Sequence, residues 1–528
     1  METKYDVIII GSGIGGLTAA SILSQVANKK VLVLERHFKL GGFTHTFKRL
    51  GKFEWDVGIH YIGDLAEGSM LRTLFDSVTK RGVQWKKMEE PFEVFDYPDF
   101  SFPVYGEKER FRSDLKSKFP KEEKAVDQYF KDVETFTQWF GRHFTLKALP
   151  AFFEKAAKLL GLDHIKTPYI ITKEYMDSHF QDENLRALLC SQWGDYGLPP
   201  KDSSFAIHSM IVAHYFNGGY FPIGGSSKIV DSIEPIVEKN GGAMKILHTV
   251  KEIILDGDKA IGVKVDVQKG KTITEHSFFA DEIISDAGAY TTYKKLLPKQ
   301  YSQAFVSPLE SLSTQGTTSI TLYIGFKESP TKLGFHGENH WIFPNVDHDE
   351  SYAKRNDLIH GKPPMMYLSF PSLKNPEAEG HTAEAISFAD YTNFAKWKEE
   401  PWKKRGEDYN ELKATITEGM LAFLEERFPG FRDMIEFTEL STPITTEYFT
   451  GHKEGSIYGL SCTPERFRQE WLGVRTTVKN LYLTGADACS PGVAGALMGG
   501  VAASSVVLGL SGTLRLMKEL FQKSQETD

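Results

Sequence analysis

The sequence predicts an α/β protein built on a discontinuous Rossmann-type domain, and three observations support this fold class. The first is an N-terminal βαβ unit, made of an apolar run at Val7–Ile10, a glycine loop at Gly11–Gly16, a helical segment at Leu17–Val26 and a second apolar run at Lys30–Leu34. Glycine loops then return at residues 218–225. A late apolar run, Leu481–Gly485, leads into a glycine-rich helical segment, so nucleotide-type elements occur in separate parts of the chain.

Between these ends the pattern predicts a β-hairpin with an Asp-Gly turn signal, three further strands and one long helix. They are Val250–Leu255 with Ala260–Val267, then Asp281–Gly288, Ser319–Phe326, Met365–Phe370 and the helix Asp408–Phe428. Residues from about 70 to 215 differ, because they are rich in charged and aromatic residues with helical periodicity. The mixture predicts an α+β domain inserted in pieces into the Rossmann-type domain.

The composition of the 528-residue chain is that of a globular protein, with 41% hydrophobic and 25% charged residues. The net charge of −8 offers no global electrostatic basis for binding nucleic acid, and we expect no such partner. Cys190, Cys462 and Cys489 lie far apart, so we expect neither a disulfide framework nor a metal site. The charged start, Met1–Asp6, does not resemble a signal peptide, and we expect a cytoplasmic protein.

The segment Ala488–Leu514 carries no charge and is long enough to span a bilayer. It consists mainly of glycine, alanine, serine and valine, whose membrane insertion is only weakly favourable. We therefore predict a buried helix that packs closely against other backbone, rather than a transmembrane helix.

The glycine loop, Gly11-Ser12-Gly13-Ile14-Gly15-Gly16, matches the G-x-G-x-x-G dinucleotide fingerprint between a strand and a helix. In that motif Gly11 permits the tight turn, Gly13 lets the backbone approach a pyrophosphate, and Gly16 allows close packing of helix on strand. Glu35 ends the second strand about 20 residues further on, where a carboxylate is expected to bind ribose hydroxyls.

The residues after Glu35 distinguish between NAD and FAD. Glu35-Arg36 is followed by Gly41-Gly42, a pattern that resembles the amine oxidase and phytoene desaturase superfamily of FAD-binding proteins. The resemblance implies FAD as the cofactor, with Gly41 and Gly42 lying along it and Arg36 supporting the same region.

Elements in the middle and at the end of the chain extend this resemblance. The superfamily implies a backbone contact of Val250 with adenine, and Ser285-Asp286-Ala287-Gly288 resembles its S-N-A-G element, with Asp286 where Asn is common. Gly485-Ala486-Asp487 resembles its last FAD strand, whose Asp binds the ribityl or phosphate side. The helix that starts at Gly492, Val493 and Ala494 can direct its exposed amides at the flavin.

Two further stretches resemble the retinol saturase and carotenoid isomerase branch. They are Gly41-Gly42-Phe43-Thr44-His45-Thr46-Phe47 and Phe53–Gly63, which contains Gly58-Ile59-His60-Tyr61. His60 and Tyr61 are polar groups in an apolar stretch, and His60 could exchange a proton at a polyene end, so both are candidate catalytic residues. The alternative is that His60 is a buried histidine that only fixes its loop. We expect His45 to contact the flavin or to be structural, and Thr44 to lie in the same cofactor-binding stretch.

These observations predict an FAD-binding domain at residues 1–75, 218–300 and 471–515, and a substrate domain at residues 76–217 and 301–470. Within the latter, residues 130–170 are candidate membrane-contact helices, because residues 136–160 mix bulky apolar and cationic side chains. An ordinary amphipathic helix on the protein core is the alternative. Candidate residues for lining a substrate tunnel are Trp193, Tyr196, Phe205, His208, Met210, His214, Tyr215 and Phe216, although aromatic runs are more often plain core.

The resemblance implies an FAD-dependent oxidoreductase or isomerase. Its substrate would be a long, apolar, unsaturated small molecule such as a carotenoid or retinoid, whose C=C bonds it desaturates, saturates or isomerises. An external electron donor or acceptor and a peripheral membrane contact are the further partners that we expect. Two alternatives stay open, a flavin amine oxidase and a non-catalytic prenyl-binding protein of the Rab GDP-dissociation inhibitor type.

Overall fold

The protein is described by a computed structural model that covers residues 4–148, 156–157, 159–161, 165, 167–313 and 317–525, with side chains to residue 518. Two seven-stranded sheets organise these residues. Two small two-stranded sheets accompany them, Thr46–Arg49 with Phe53–Asp56 and Trp85–Lys87 with Tyr220–Pro222.

The first sheet has a parallel core of five strands. In spatial order they are Ala243–Lys245, Val31–Leu34, Tyr5–Ile10, Thr272–Ser285 and Leu481–Leu483. Val7 to Ile10 are fully or almost fully buried, as are Val31 to Leu34, because helices cover both faces of a parallel sheet of this kind. This is the mononucleotide-binding arrangement of a Rossmann-type fold, and it confirms the predicted fold class.

A β-hairpin extends this sheet at one edge. Strands His248–Asp256 and Lys259–Lys269 pair antiparallel, as the Asp-Gly turn signal predicts. The strand Thr272–Ser285 takes part in both arrangements, since its first half pairs with the hairpin and its second half joins the parallel core.

The second sheet is mostly antiparallel and comes from the other parts of the chain. Its strands, in spatial order, are Ile435–Ser441, Thr318–Phe326, His381–Ala389, Met366–Ser369, Asn339–Ile342, Glu93–Asp96 and Ser101–Val104. Only the pairing of Asn339–Ile342 with Glu93–Asp96 is parallel among these described strands. This sheet carries Glu93 and Glu384 toward the interior of the protein, where both side chains are buried.

The longer helices pack on these sheets. They are Ile14–Ala27, Met70–Thr79, Lys108–Lys118, Glu123–Ala148, Thr172–His179, Glu183–Cys190, Phe205–His214, Ser227–Lys239, Val306–Ser313, Glu407–Arg427, Pro443–Thr450 and Gly492–Gln525. The domain limits given above stay a prediction.

The helix Glu123–Ala148 contains the start of the candidate membrane segment. Phe136, Trp139 and Phe140 are buried, and they pack in a large aromatic cluster instead of facing solvent. In this described part the segment is therefore an amphipathic helix on the protein core. The next part of the candidate, residues 149–155, 158, 162–164 and 166, lies outside the described residues.

The C-terminal helix, Gly492–Gln525, bends at Gly509, whose φ of 66° is in the left-handed region. Before the bend, Gly499 and Gly500 pack so closely on Gly485 and Gly15 that a Cβ would clash, which agrees with the predicted close packing. After it, Leu510 is 81% exposed and Leu514 is 62% exposed, so the prediction of a buried helix is wrong for this second half. Among the described helices, Gly492–Lys518 is long and apolar enough to cross a membrane, with 39% of its most apolar window buried.

Candidate active site

A cavity of about 1040 Å³ lies at the carboxyl ends of the parallel strands. Ligands of open α/β sheets bind at this edge, where the glycine loop and helix N-termini meet. Its volume lies at the upper end of the ~300–1,000 Å³ of usual small-molecule sites. It extends from the glycine loop to a wall of aromatic side chains between the two large sheets.

The glycine loop forms one wall of the cavity. Gly11, Gly13, Ile14 and Gly15 line it, and the helix begins at Ile14 with its N-terminus toward the cavity. A Cβ on Gly15 would lie 2.5 Å from the backbone of Gly485, so no larger residue fits there.

Three of the predicted cofactor-binding glycines stand just behind this wall. Gly16 packs on Gly11, and a Cβ on it would lie 2.5 Å from the Gly11 carbonyl oxygen. Gly41 donates its backbone N–H to Ser12 Oγ at 3.0 Å, and Gly485 adopts a φ of 76° against Gly15. These glycines shape the wall but do not line the cavity.

Glu35 connects the second strand with the glycine loop. Its Oε2 accepts hydrogen bonds from the N–H and the Oγ–H of Ser12 at 3.0 and 2.7 Å, and its Oε1 accepts one from the His37 amide. The carboxylate lines the cavity with Arg36, whose guanidinium donates to the Tyr448 carbonyl. Glu35 is thus held in place by its neighbours and is available to a ribose.

Gly41 and Gly42, the glycine pair that follows Glu35, lie opposite the glycine loop. Gly42 has a φ of 57°, and a Cβ on it would lie 3.0 Å from Gly13 Cα, so the two glycine segments touch. Thr44 donates its hydroxyl to the Gly41 carbonyl, and His45 Nδ1 lies within hydrogen-bond distance of the Gly42 carbonyl. Burial lowers the pKa of His45 to about 4, so the neutral ring donates to that carbonyl, and the side chain lines the cavity.

The remaining predicted cofactor residues line the same cavity from four other places. They are Val250 on the hairpin, Ala287 after the long strand, Asp487 after the last strand, and Gly492, Val493 and Ala494 at the helix start. Asp487 accepts hydrogen bonds from the amides of Ala289 and Leu460, at 2.7 and 2.8 Å. It therefore ties together three parts of the chain that are distant in sequence.

Asp286 is enclosed by glycines. A Cβ on Gly13 or Gly485 would come within 2.5 Å of its carboxyl oxygens. Burial raises the pKa of Asp286 to about 8, despite the nearby amides of Gly16 and Gly13, which favour the charged form. At neutral pH the side chain is therefore mostly neutral, and it resembles the Asn that is common at this position.

His60 lines the cavity between the wall formed by the glycine loop and the aromatic inner end. Its Nδ1 is 2.7 Å from Oε2 of Glu384, which is completely buried. Lys374 lies behind this pair and donates to the His60 carbonyl, to Asn339 Oδ1 and to Ser369 Oγ. Burial lowers the pKa of Lys374 to about 7, opposed by the negative charge of Glu384 and other carboxylates.

Tyr61 lies next to His60 in the chain and contacts two carboxyl groups. Its hydroxyl is 2.5 Å from Glu93 Oε1 and 2.8 Å from Asp195 Oδ2. Glu93 also accepts hydrogen bonds from Trp341 Nε1 at 2.6 Å and Gln192 Nε2 at 2.8 Å. Tyr61 and Asp195 line the cavity, whereas Glu93 stands behind them.

The inner end of the cavity is aromatic and apolar. Its lining includes Met210, Ile211, Tyr215, Trp341, Met365, Tyr367, Ile386, Phe388 and Tyr458. Of the eight candidate tunnel residues, Met210, His214 and Tyr215 line the cavity. The other five are packed in the protein core, as Trp193, Tyr196, Phe205 and His208 are fully buried and Phe216 is partly buried.

The sequence interpretation missed Asp195, Glu93 and Glu384. Asp195 is the one acidic residue within the aromatic stretch Trp193–Tyr196, and this contrast was its only local signal. Glu93 and Glu384 lie in largely buried strands, where a buried carboxylate needs a partner. Neither strand identifies that partner, which comes from a distant part of the chain.

The cavity wall fits a dinucleotide. Two helix N-termini, at Ile14 and Gly492, direct free amides toward it, and the glycine wall leaves no room for side chains between backbone and ligand. The buried Oγ1 of Thr484, also in the lining, has no hydrogen-bond partner among the described residues. In the same described part of the chain, no group of three His, Cys, Asp or Glu side chains is arranged to hold a metal ion.

Comparison with known proteins agrees with this geometry. The model of the NAD(P)-binding Rossmann-like domain matches residues 9–78. All-trans-retinol 13,14-reductase from Danio rerio is 36% identical over 526 residues, which cover 95% of this chain and 86% of that protein. The Homo sapiens protein of the same name is 31% identical, covering 96% and 86%. Prolycopene isomerase 2, chloroplastic, from an Oncidium hybrid cultivar is 26% identical, covering 93% and 81%.

Solved structures share the fold at lower identity. An oxidoreductase from Methanosarcina mazei has a TM-score of 0.60 and 18% identity, covering 95% of this chain and 99% of that one. Cyclohexylamine oxidase from Brevibacterium oxydans has a TM-score of 0.58 and 14% identity, covering 98% and 100%. At these identities the two structures establish the architecture and nothing about the substrate.

Proposed function

Because the chain belongs to the phytoene desaturase, carotenoid isomerase and retinol saturase family of enzymes, we propose that it is an FAD-dependent oxidoreductase or isomerase of polyenes. Its substrate class is the retinoids and carotenoids. The reaction saturates, desaturates or isomerises a C=C bond of the chain.

One observation carries this proposal, the continuity of the cavity from the glycine wall to the aromatic end. A dinucleotide bound along Gly11–Gly15 and Glu35 would place its far end near Gly492 and His60. From there the lining is apolar and aromatic, which suits a long hydrocarbon and would desolvate it at little cost. A small polar substrate would leave this end unused.

The residues that would hold FAD follow from the lining. The amides at Gly13 and Ile14 would face the pyrophosphate, Glu35 the ribose and Val250 the adenine, while the helix start at Gly492 would face the ring system. A bound flavin supplies hydride transfer, which no side chain can perform.

The protein's own part is orientation and proton handling. His60 is positioned by Glu384, so its ring can hold or move a proton at the polyene without reorientation. Tyr61 stacks on Tyr215 with ring centroids 4.3 Å apart and presents an aromatic face near the substrate path. The buried aromatic side chains exclude water from the reacting bond.

We propose two partners besides the substrate. The electron donor or acceptor is a separate molecule, since the glycine fingerprint occurs once in the part of the chain described and the second large sheet is mostly antiparallel. A lipid bilayer is a peripheral partner, through Leu510, Leu514 and Met517 on the exposed half of the C-terminal helix.

The experiment that tests the function has two stages. The first is an absorption spectrum of the purified protein before and after anaerobic dithionite, with chromatographic identification of the cofactor released by heat. The second supplies the reduced protein with all-trans-retinol, with a poly-cis carotenoid or with a primary amine, and separates the products. Bleaching of a flavin spectrum, release of FAD and conversion of a polyene support the proposal.

Two other outcomes would favour the alternative functions. Oxidation of the amine without conversion of either polyene would favour the amine oxidase alternative. A colourless protein that takes up no FAD would contradict the proposal and revive the prenyl-binding alternative.

A further inference from the structure

We propose that Asp195 is the acid that protonates the reacting carbon of the substrate, an inference that rests on the proposed function and deepens it. The candidate residues identified by motif were His60 and Tyr61, and no motif includes Asp195. The geometry points to it through its place in the cavity wall and through its contact with Tyr61.

Asp195 has an unusual position for a carboxyl group. It ends the short turn of helix Ser191–Asp195 and lines the cavity among aliphatic and aromatic side chains. It is also less buried than the residues on either side of it, Gly194 and Tyr196, so its free surface faces the cavity. A group that only stabilised the fold would have no need of access to a ligand.

Tyr61 has too few protons to hydrogen-bond to two ionised carboxyl groups. A phenol has a single O–H, so Tyr61 can donate to Glu93 or to Asp195 but not to both. Both contacts are nevertheless at hydrogen-bond distance, 2.5 and 2.8 Å. One of the two carboxyl groups must therefore carry a proton and donate it to the phenol oxygen.

The surroundings determine which carboxyl group holds that proton. Glu93 accepts from Trp341 and Gln192 as well as Tyr61, so three donors stabilise its charge. Asp195 has Tyr61 as its one hydrogen-bond partner among the described residues. Burial raises the pKa of Asp195 well above its usual range, and the charge of Glu93 raises it further. Burial also raises the pKa of Glu93, to about 7, against those donors.

The resulting chain runs from Asp195 to Tyr61 to Glu93. Asp195 donates to the Tyr61 oxygen, Tyr61 donates to Glu93, and Glu93 is the carboxylate. Asp195 can release its proton to a ligand because Tyr61 can then turn its O–H from Glu93 toward the new Asp195 carboxylate. Glu93 keeps Trp341 and Gln192 as donors, so neither charge is left without a partner.

Saturation of one C=C bond accounts for every proton and electron in this step. The bond loses its π pair, one carbon gains a hydride with two electrons from reduced flavin, and the other gains the proton of Asp195. Two C–H bonds form, while the C=C π bond, the O–H bond of Asp195 and the hydride-bearing N–H bond of a reduced flavin would break. The two electrons that the flavin would give up reduce the polyene. A solvent proton then restores Asp195. His60, on the Glu384 side of the cavity, holds the substrate in this scheme.

The first test reads the proton directly and needs no turnover. Infrared spectra of the flavin-loaded wild-type protein and of Asp195→Asn are subtracted near neutral pH. We expect the carbonyl band of a protonated carboxylic acid, shifted in D₂O, in this difference. The matched control is Asp177→Asn, which removes an exposed aspartate that is ion-paired with Lys173. Absence of the band in the Asp195 difference would overturn the proposal.

The second test measures turnover of the polyene that the wild-type protein converts. Asp195→Asn should retain flavin and substrate binding while kcat falls by about 10²–10⁴-fold, the usual contribution of a positioned acid. Unchanged turnover in this variant overturns the proposal. A wild-type protein that shows the band but converts no polyene contradicts the proposed function, and the protonation of Asp195 stands.

A second variant tests the proposal in case Asp195→Asn does not fold. Tyr61→Phe leaves Asp195 in place and removes the hydrogen bond that stabilises its carboxylate. Loss of that bond raises the pKa of Asp195, so the alkaline limb of the kcat profile should move to higher pH while kcat decreases. A profile that does not move would show that Tyr61 and Asp195 are not coupled and would count against the chain described here.

Discussion

The Nδ1 atom of His60 lies 2.7 Å from Oε2 of Glu384, a carboxylate with no exposed surface. The pair joins a loop residue that faces the cavity to a strand of the second large sheet. The contact thus connects the cavity wall that would hold the cofactor with the sheet that supports the substrate end. The first prediction follows from it.

Replacement of His60 by Ala should leave flavin bound and reduce turnover by about 10²-fold, because the substrate loses a positioned side chain next to the reacting bond. Glu384→Gln should reduce turnover in the same direction by a smaller factor, since the ring remains but loses its charged partner. Turnover and flavin content are measured together. His276→Ala, at an exposed histidine of the long strand, is the control, and equal turnover in the His60 variant and in this control would remove His60 from the mechanism.

Gly15→Ala should abolish flavin binding. Its Cβ would lie 2.5 Å from the Gly485 backbone, so the helix start at Gly15 and the segment after the last parallel strand would have to separate. The control is Gly141→Ala, because Gly141 lies in a helix with no atom within 4 Å of an added Cβ. That change should stabilise the protein by about 0.5–1 kcal/mol. Flavin retained after gel filtration is the measurement, and full retention by Gly15→Ala would contradict the close packing described.

Asp286→Asn should change how stability depends on pH. The folded protein raises the pKa of Asp286 to about 8, above its usual value, so the folded state binds this proton more tightly than the unfolded chain. This contribution is complete at low pH and is lost as the pH rises through about 8. The variant lacks it at every pH.

The thermal unfolding midpoint of Asp286→Asn, relative to wild type, should therefore rise between about pH 5 and pH 9. Buried acids common to both proteins, such as Asp56 and Glu93, cancel in this comparison. Asp256→Asn, at an exposed hairpin position, is the control. A difference for Asp286→Asn that does not change with pH would show that its carboxyl is ionised throughout.

Lys374→Met should destabilise the protein by about 1–3 kcal/mol, the usual cost of leaving buried polar groups without their hydrogen-bond partner. The ammonium donates to His60, Asn339 and Ser369, and its loss leaves Glu384 without a nearby cation. Chemical denaturation gives the change in the free energy of unfolding. Lys251→Met removes an exposed lysine and should stay within about 0.5 kcal/mol of wild type. A similar small effect for Lys374→Met would mean that the buried cluster relaxes easily.

The exposed end of the C-terminal helix should bind lipid. The double change Leu510→Glu with Leu514→Glu places two charges on the apolar surface and should abolish flotation with anionic liposomes. Ile273→Glu is the control, since Ile273 is a similarly exposed apolar residue at the tip of a β-hairpin. Equal flotation of the double variant and wild type would exclude this helix end as the lipid contact.

Local signals made the nucleotide-type sheet predictable. Val7–Ile10, the glycine loop and Glu35 lie close together in sequence, and each has a steric or electrostatic reason to be where it is. The pairing of Asp195 with Glu93 through Tyr61 had no such signal, because the three residues come from separate strands and loops that meet only in the folded chain. The same holds for the exposed second half of the C-terminal helix, which depends on the left-handed φ of one residue, Gly509.

The last parallel strand, Leu481–Leu483, pairs with Ile283–Ser285, and Asp487 and the Gly492 helix follow it. During synthesis on the ribosome, four strands of this sheet are complete long before the fifth emerges. A growing chain can therefore bury much of its sheet but lacks Asp487 and the helix start at Gly492, which complete the cavity. Non-local pairing of this kind is slow to form, so uptake of the proposed cofactor would follow translation. A truncated translation product would be a protein without prosthetic group, however well its first half folds.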